Sequence, residues 1–452
     1  MAAGTGLIVS VSGIRGVVGE GLTAEVATGF AAAFGTYAEG GRVVLSRDGR
    51  PSGAVLRHAI LAGLQGAGCD VEDLGVAPTP TCGLAVRQLR AAGGVQVTAS
   101  HNPAEWNGLK LFAADGTVLT GAEARRLRHL FEARSFRRAS WDRLGTLAEC
   151  HQAEDWHRDR VLGLVNLSSI RGRHLRAFLD ANGGAGGRLG RSLLEAFQCQ
   201  PVCHGCGGDG RFLHPPEPVA ANLGEVCTLV AEHRADIGLV LDPDADRLAL
   251  IDETGRYIGE ELTLALAVLF RLGRERGPVV VNMSTSRVVE DIANRFGCPF
   301  HRAAVGEANV VETMRQVGAV IGGEGNGGVI DPRVGFVRDP FIGMGLVLNI
   351  LAETGRKLSE VVAELPAYAI VKDKYSVDPA KLPGLFAGLA RRWPDARGNR
   401  LDGLRLDWAD RWVHVRPSNT EPIIRVIAEA PREEEALRLC REVGRLLNEG
   451  LP

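Results

Sequence analysis

The run Asp242-Pro243-Asp244-Ala245-Asp246-Arg247 places three carboxylates at alternate positions directly after the apolar stretch 237–241. Alternate spacing lets three side-chain oxygens turn toward one hard cation, and Mg²⁺ suits carboxylate and phosphate oxygens together. Three close carboxylates repel one another, which favours a metal loop over a turn of solvated aspartates. An EF-hand is a poor fit: Glu253 occupies the twelfth place, but Arg247 stands where the sharp turn needs glycine. Residues 248–252 read instead as a strand. A haloacid-dehalogenase-type nucleophile also fits poorly, with Asp246 where Thr or Val is expected.

A second cluster, Thr98-Ala99-Ser100-His101-Asn102-Pro103, also ends an apolar stretch, with Lys110 close behind. Ser, Asn and Pro are common turn residues, and no G-x-S-x-G surrounds Ser100, so a hydrolase elbow is not expected. Beside a metal cluster, the Ser100 hydroxyl becomes a candidate phosphoryl carrier. Lys110 becomes a general acid or base if nearby charge lowers its pKa.

Gly323-Glu324-Gly325-Asn326-Gly327-Gly328 formally matches G-x-G-x-x-G, but 329–332 (Val-Ile-Asp-Pro) does not open a helix, as a dinucleotide site requires. Glu324 and Asn326 suit hydrogen bonding to neighbouring sugar hydroxyls, with glycines allowing close approach. The loop Arg416-Pro417-Ser418-Asn419-Thr420, with Arg425 in the next strand, offers Arg, hydroxyls and backbone N–H groups to a phosphate dianion. Near the start, Arg15 lies in a glycine-flanked segment read as a loop.

These clusters hang on a repeated pattern. Residues 42–69, 175–199 and 278–298 each read as apolar strand, small-residue turn, amphipathic helix and terminal Cys. Each repeat adds a second helix and a second strong strand, and that strand runs into Ser100, Asp242 or Glu324. Alternating strands and helices predict three similar α/β domains with mixed, parallel-rich sheets. Ligands gather outside the carboxyl ends of such strands, so the three clusters are expected to wall one site. After about residue 370 the pattern becomes strand, loop, strand and a charged helix over 433–447, a smaller α+β domain. The expected domains are 1–155, 156–255, 256–368 and 369–452. The stretches 137–160 and 374–400 are the least patterned and read as connectors.

The 452 residues, 45% hydrophobic and 23% charged, carry 52 basic and 54 acidic side chains, a net charge of −2. That balance argues against a general grip on nucleic acid or an anionic membrane. No apolar run exceeds 262–270, and residues 1–12 lack a basic leader, so a cytoplasmic protein is expected. Nine cysteines fit reduced thiols. Cys69, Cys199 and Cys298 share one slot in the repeats, where a small apolar residue packs. Zinc at Cys199, Cys203, His204 and Cys206 is not expected, because the spacing is not that of a ribbon and no second pair follows.

In order, the segments at 12–16, 98–103, 242–247, 323–328 and 416–422 resemble the five signature loops of the α-D-phosphohexomutase family, and the resemblance spans essentially the whole chain. It implies four domains around a central cleft, the fourth similar in fold alone to the TATA-box-binding protein. It implies that Ser100 carries the phosphoryl group and, with Asp242, Asp244 and Asp246, holds Mg²⁺. Arg15, His101, Lys110 and Arg247 would surround the transferring group, with Glu324 and Asn326 on the sugar. Arg416, Ser418, Asn419, Thr420 and Arg425 would hold the other phosphate. The implied reaction interconverts hexose 6-phosphate and hexose 1-phosphate through a hexose 1,6-bisphosphate, which also serves as activator. The phosphosugar is the implied partner, with monomer and homodimer both open.

The chain departs from the commonest family pattern at Ser12 (usually Asp), Trp106 (Tyr or Phe), Asn326 (Ser), Gly328 (His) and Asn419 (Gly). The form Gly323–Gly328 resembles an archaeal-type group of phosphoglucosamine mutases. Phosphoglucomutase or phosphomannomutase is the alternative within the family; a phosphatase or a non-catalytic phosphosugar sensor are the remoter readings, the sensor weakened by the presence of Ser100, Lys110 and all three aspartates.

Overall fold

Three of the four sheets share one plan, and the plan follows from the sequence repeat. The computed structural model describes residues 6–10, 13–376, 382–418 and 423–449. In the first repeat, Val43–Arg47 lies between Val71–Val76 and Gly93–Val97, all parallel, and Trp106–Ala113 returns antiparallel. In the second, Arg176–Asp180 lies between Gln200–His204 and Ile237–Leu241, and Leu248–Asp252 returns antiparallel. In the third, Val279–Asn282 lies between Phe300–Ala303 and Ile321–Glu324, and Gly328–Ile330 returns antiparallel. The first sheet is extended by Leu7–Ser10 and Gly13–Val17 at one edge and Leu147–Glu149 at the other.

Central strands read as continuous apolar runs because both faces are covered, as parallel sheets require; every residue of Ile237–Leu241 is buried. The three repeat cysteines are buried and free, as their apolar slot implies. Each chemical cluster occupies the reversal between third and fourth strands. The pairs Val97↔Leu109, Leu241↔Leu248 and Glu324↔Gly328 close these loops in register. The side chains they carry therefore sit on rigid strand ends.

One core cluster is continuous from the second repeat into the third. The helix Pro340–Thr354 runs through it, with Phe341, Ile342, Met344, Leu346, Val347 and Leu348 fully buried. Each such side chain contributes about 1.5–3 kcal/mol. Asp339 caps the helix by accepting the N–H groups of Phe341 and Ile342, Pro340 supplies the first turn, and Gly355 ends it with φ 70°. The C-terminal sheet is wholly antiparallel, in the order Ala369–Tyr375, Ile424–Ala430, Trp412–Pro417, Leu404–Asp407, Arg397–Asn399. Helices Leu382–Arg392 and Glu433–Glu449 share its core.

The structure corrects three local expectations. Residues 137–160 are not merely a connector, because helix Ala153–Leu162 begins there. Its buried face includes His157, bonded to Thr81 Oγ1 at 2.9 Å and Asp339 at 2.8 Å, so no apolar stripe marks it. Residues 374–400 likewise contain Leu382–Arg392 and Arg397–Asn399. Arg15 lies in the strand Gly13–Val17, paired to Trp106–Ala113, rather than in a loop. Gly13 permits that approach, since a Cβ there would meet Leu109 O at 2.3 Å. Among the described residues, no helix is long and apolar enough to cross a membrane.

Candidate active site

The first two clusters meet directly. Ser100 Oγ lies 3.2 Å from Asp242 Oδ2 and 3.2 Å from His101 Nδ1. Ser100 is 1% exposed and adopts φ 53°, the left-handed region that a side chain disfavours. The loop is held there by a residue that the sequence reading missed. Arg50 Nη2 donates to the carbonyls of Ser100 (2.7 Å) and Asn102 (2.6 Å), and Nη1 to those of Pro103 and Trp106. Asp48 fixes Arg50 Nε at 3.0 Å and accepts the Thr98 hydroxyl at 2.7 Å, while Thr98 Oγ1 receives the Ser100 N–H. The signal was present in Arg47-Asp48-Gly49-Arg50, a charged pair at a repeat strand end that reads as an ordinary turn.

The three aspartates are fully buried, and their carboxylate oxygens lie within 4.8 Å of one another. Asp242 Oδ1 accepts the N–H groups of Asp246 and Arg247. Thr79 Oγ1 donates to Asp244 Oδ2 at 2.6 Å, and Lys110 Nζ reaches Asp244 at 2.8 Å and Asp246 at 2.5 Å. Among the described residues, Asp244 Oδ1 and Asp246 Oδ1 are buried without a hydrogen-bond partner. Burial and the charges of Asp244 and Asp246 push the Asp242 carboxyl well above its usual range. Two orphaned oxygens and one destabilised carboxylate are what a cation would relieve, so the donor set fits Mg²⁺.

Burial alone would depress the Lys110 ammonium, but Asp244 and Asp246 outweigh it and the pKa goes up. Nearby charge thus raises rather than lowers this pKa, and Lys110 is held protonated. His101 moves the other way. Burial, then Arg247 and Arg15, hold its imidazole well below 6.5, in the neutral form. Arg15 Nη1 donates to Asn102 Oδ1 at 3.0 Å, and Arg247 Nε lies 3.9 Å from Asp246 Oδ1.

Glu324 is 4% exposed and closes the third wall. Its Oε1 accepts from Asn282 Nδ2 (2.9 Å) and the Gly306 N–H (3.0 Å), and its Oε2 from Arg338 Nη1 (3.0 Å). Arg338 also donates to Asp246, so metal loop and sugar loop share one guanidinium that no sequence motif marked. Asn326 Oδ1 is buried without a hydrogen-bond partner among the described residues. The Leu248 N–H donates to Gly327 O, docking this loop on the strand after the aspartates.

The fourth wall is joined through Asp402, whose Oδ2 accepts from Arg416 Nε (2.9 Å) and the Val305 N–H (3.0 Å), next to Gly306 and Glu324. Arg416 and Arg425 stand directly opposite each other in register, two like charges on one face. Arg416 Nη2 is buried without a hydrogen-bond partner among the described residues. Ser418 continues the strand end, its N–H bonded to Ile423 O. Asn419 and Thr420 lie outside the described residues, as does Ser12. Among the described residues, only the three aspartates bring three ligand atoms close enough to hold a metal ion, and the segment 199–206 does not.

Comparison with known proteins agrees with this arrangement. The chain matches, in order, the phosphoglucomutase/phosphomannomutase alpha/beta/alpha domains I (residues 6–138), II (156–255) and III (259–368) and the C-terminal domain (369–446). The chain belongs to the α-D-phosphohexomutase family. This phosphohexomutase is 36% identical over 436 residues, 95% of each chain, to a probable phosphoglucosamine mutase of Methanopyrus kandleri. It is 37% identical over 461 residues, 99% of each chain, to a phosphoglucomutase/phosphomannomutase of Thermococcus kodakarensis. A crystal structure of a phosphoglucomutase/phosphomannomutase family protein from Burkholderia thailandensis covers 98% of each chain with a TM-score of 0.87 and 27% identity. The protein is therefore an enzyme of the phosphohexomutase class, with the three α/β domains and antiparallel C-terminal domain that its sequence implies.

Proposed function

We propose that this phosphohexomutase interconverts glucosamine 6-phosphate and glucosamine 1-phosphate through a phosphoserine at Ser100 and a bisphosphorylated sugar. The observation that carries the mechanism is the 3.2 Å approach of Ser100 Oγ to Asp242, at the lip of a three-carboxylate cage. Glucosamine is favoured by the form of the sugar loop and by the name of the Methanopyrus relative. The division into domains 1–155, 156–255, 256–368 and 369–452 belongs to the same proposal.

In the first half-reaction the Ser100 Oγ–P bond breaks as a bond forms from phosphorus to a sugar hydroxyl oxygen, and the hydroxyl proton ends on Ser100 Oγ. The return transfer reverses both. Lys110, held charged, supplies a proton near the leaving oxygen, and neutral His101 at 3.2 Å can pass one. Asp242, Asp244 and Asp246, with the phosphoserine, would hold Mg²⁺, which when bound draws charge from the phosphoryl oxygens. Arg15 and Arg247 add positive charge at the same place. Glu324 and Asn326 orient the sugar hydroxyls. Arg416 and Arg425, with Ser418, Asn419 and Thr420, take the phosphate not being transferred, which relieves the facing guanidiniums. The bisphosphate intermediate turns over between these walls and also primes dephosphorylated enzyme.

The test is a panel of glucosamine, glucose and mannose 6-phosphates, compared by kcat/KM with free phosphate measured in parallel. Isomer formation without phosphate release, highest for glucosamine, is expected. Stoichiometric phosphate release would establish a phosphatase, and no turnover of any sugar a sensor.

A further inference from the structure

Arg338 is 7% exposed and lies just before Asp339, the cap of helix Pro340–Thr354. Its position is rigid: the Asp339 N–H bonds to Val329 O at 2.7 Å, and the Arg338 N–H to Glu307 Oε1 at 2.9 Å. From that anchor the side chain crosses the sugar loop. Gly328 leaves the path open, since a Cβ there would lie 2.3 Å from Arg338 Cδ. The guanidinium then divides its donors, Nη1 to Glu324 at 3.0 Å and Nη2 to Asp246, with Nε 3.2 Å from Glu307 Oε2.

We propose that Arg338 is a specificity-determining positioning residue, the planar fork that sets the Glu324 carboxylate against the metal loop and so fixes how the sugar is held. This rests on the reading of Glu324 as the sugar ligand. A point charge at 338 would balance the buried carboxylates equally well. Only a two-pronged donor holds Glu324 and Asp246 in one geometry. Asp246 keeps its Lys110 donor at 2.5 Å, whereas Glu324 Oε2 loses its Arg338 donor, so loss of the fork acts on sugar binding through Glu324 and leaves charge balance and metal capacity in place.

The experiment uses dephosphorylated full-length enzyme, on which no turnover occurs, with glucosamine 6-phosphate binding and Mn²⁺ binding measured by calorimetry. Kinetic discrimination between glucosamine and glucose 6-phosphates is then measured on the primed enzyme. Arg338→Lys keeps the charge and loses the fork. Gly328→Ala keeps every charge and pushes the Arg338 stem aside, and it stands in if the lysine variant does not fold. Both are expected to weaken sugar binding about tenfold or more, the scale of one charge-assisted hydrogen bond. Both should narrow discrimination between the two sugars, with Mn²⁺ affinity close to wild type. Arg338→Lys combined with Glu324→Gln should be no worse than Glu324→Gln alone, because both act at one carboxylate. Additive losses, or unchanged sugar binding in both Arg338→Lys and Gly328→Ala, would overturn the proposal. A large loss of Mn²⁺ affinity with sugar binding intact would make Arg338 a counter-ion of the metal loop and overturn it too. If Glu324→Gln alone leaves sugar binding untouched, the underlying reading of Glu324 fails instead.

Discussion

Ser100 Oγ and Asp242 Oδ2, 142 positions apart in the chain, approach to 3.2 Å. Each lies in the loop that follows the third strand of its repeat, so the contact joins equivalent loops of two equivalent sheets. Repetition of one strand-end geometry thus places a hydroxyl and a carboxylate cage face to face. The hydroxyl is suited to carry a phosphoryl group and the cage to hold the cation that such a group needs.

Asp244→Asn tests the cage. The change is nearly isosteric, and Asp244 keeps its Thr79 and Lys110 neighbours, so the fold should survive with little change in thermal midpoint. Mn²⁺ affinity, read by calorimetry, should fall steeply, and turnover should drop by about a hundredfold or more. Wild-type turnover of the variant in excess chelator would disprove the metal assignment.

Arg50→Lys tests the support of the Ser100 loop. Four carbonyls accept from one buried guanidinium, and an ammonium cannot span them. The left-handed Ser100 backbone would relax once released. Leaving buried carbonyls without a donor should lower stability by about 1–3 kcal/mol, and turnover should fall further than stability alone explains. A variant that melts lower yet turns over at the wild-type rate would show that Arg50 serves the fold only.

The repeat made the architecture legible. Three like segments predicted three like sheets, and the polar residues after each third strand marked Ser100, Asp242 and Glu324. What stayed hidden is carried by residues whose role exists only in three dimensions. Arg50 reads as part of a turn until the Ser100 loop folds over it. Arg338 lies beyond its own repeat's motif and reaches Asp246 in another. His157 hides a helix because a buried hydrogen-bonding imidazole breaks the apolar stripe. The protonation of Lys110 was likewise not readable, because it depends on two carboxylates 134 and 136 positions away.

Acid should loosen the seam between the third repeat and the C-terminal domain. His414 is fully buried there, Nδ1 2.9 Å from Ser284 Oγ and Nε2 donating to Asp402 O at 2.6 Å. Burial, reinforced by Arg405 and Arg416 and only partly opposed by Asp402, lowers its pKa from 6.5 to about 4. Between those values the unfolded chain binds a proton that the folded one refuses. The His414 contribution is therefore complete above about pH 6.5 and lost progressively as pH falls toward 4, up to about 3 kcal/mol in all. His414→Gln should remove that slope. Thermal midpoints of wild type and variant should differ most at neutral pH and converge in acid, and parallel curves would refute the assignment.

Ser100→Ala tests the carrier itself. The methyl group cannot accept a phosphoryl group, while the Arg50 cradle holds backbone carbonyls and needs no Ser100 side chain. The variant should fold and bind phosphosugar, because Glu324 and Arg416 lie on other elements. Wild-type enzyme that is active should show one added phosphate by intact mass. Phosphatase treatment should silence it, and a trace of hexose 1,6-bisphosphate should restore it. The variant should show no added phosphate and remain silent after the same treatment, with turnover lower by several orders of magnitude. Residual activity would point to direct transfer between sugars in the cleft, and it would need bisphosphate in substrate quantity. A Ser100→Ala enzyme that interconverts the isomers at the wild-type rate without bisphosphate would show that the phosphoryl group never passes through Ser100.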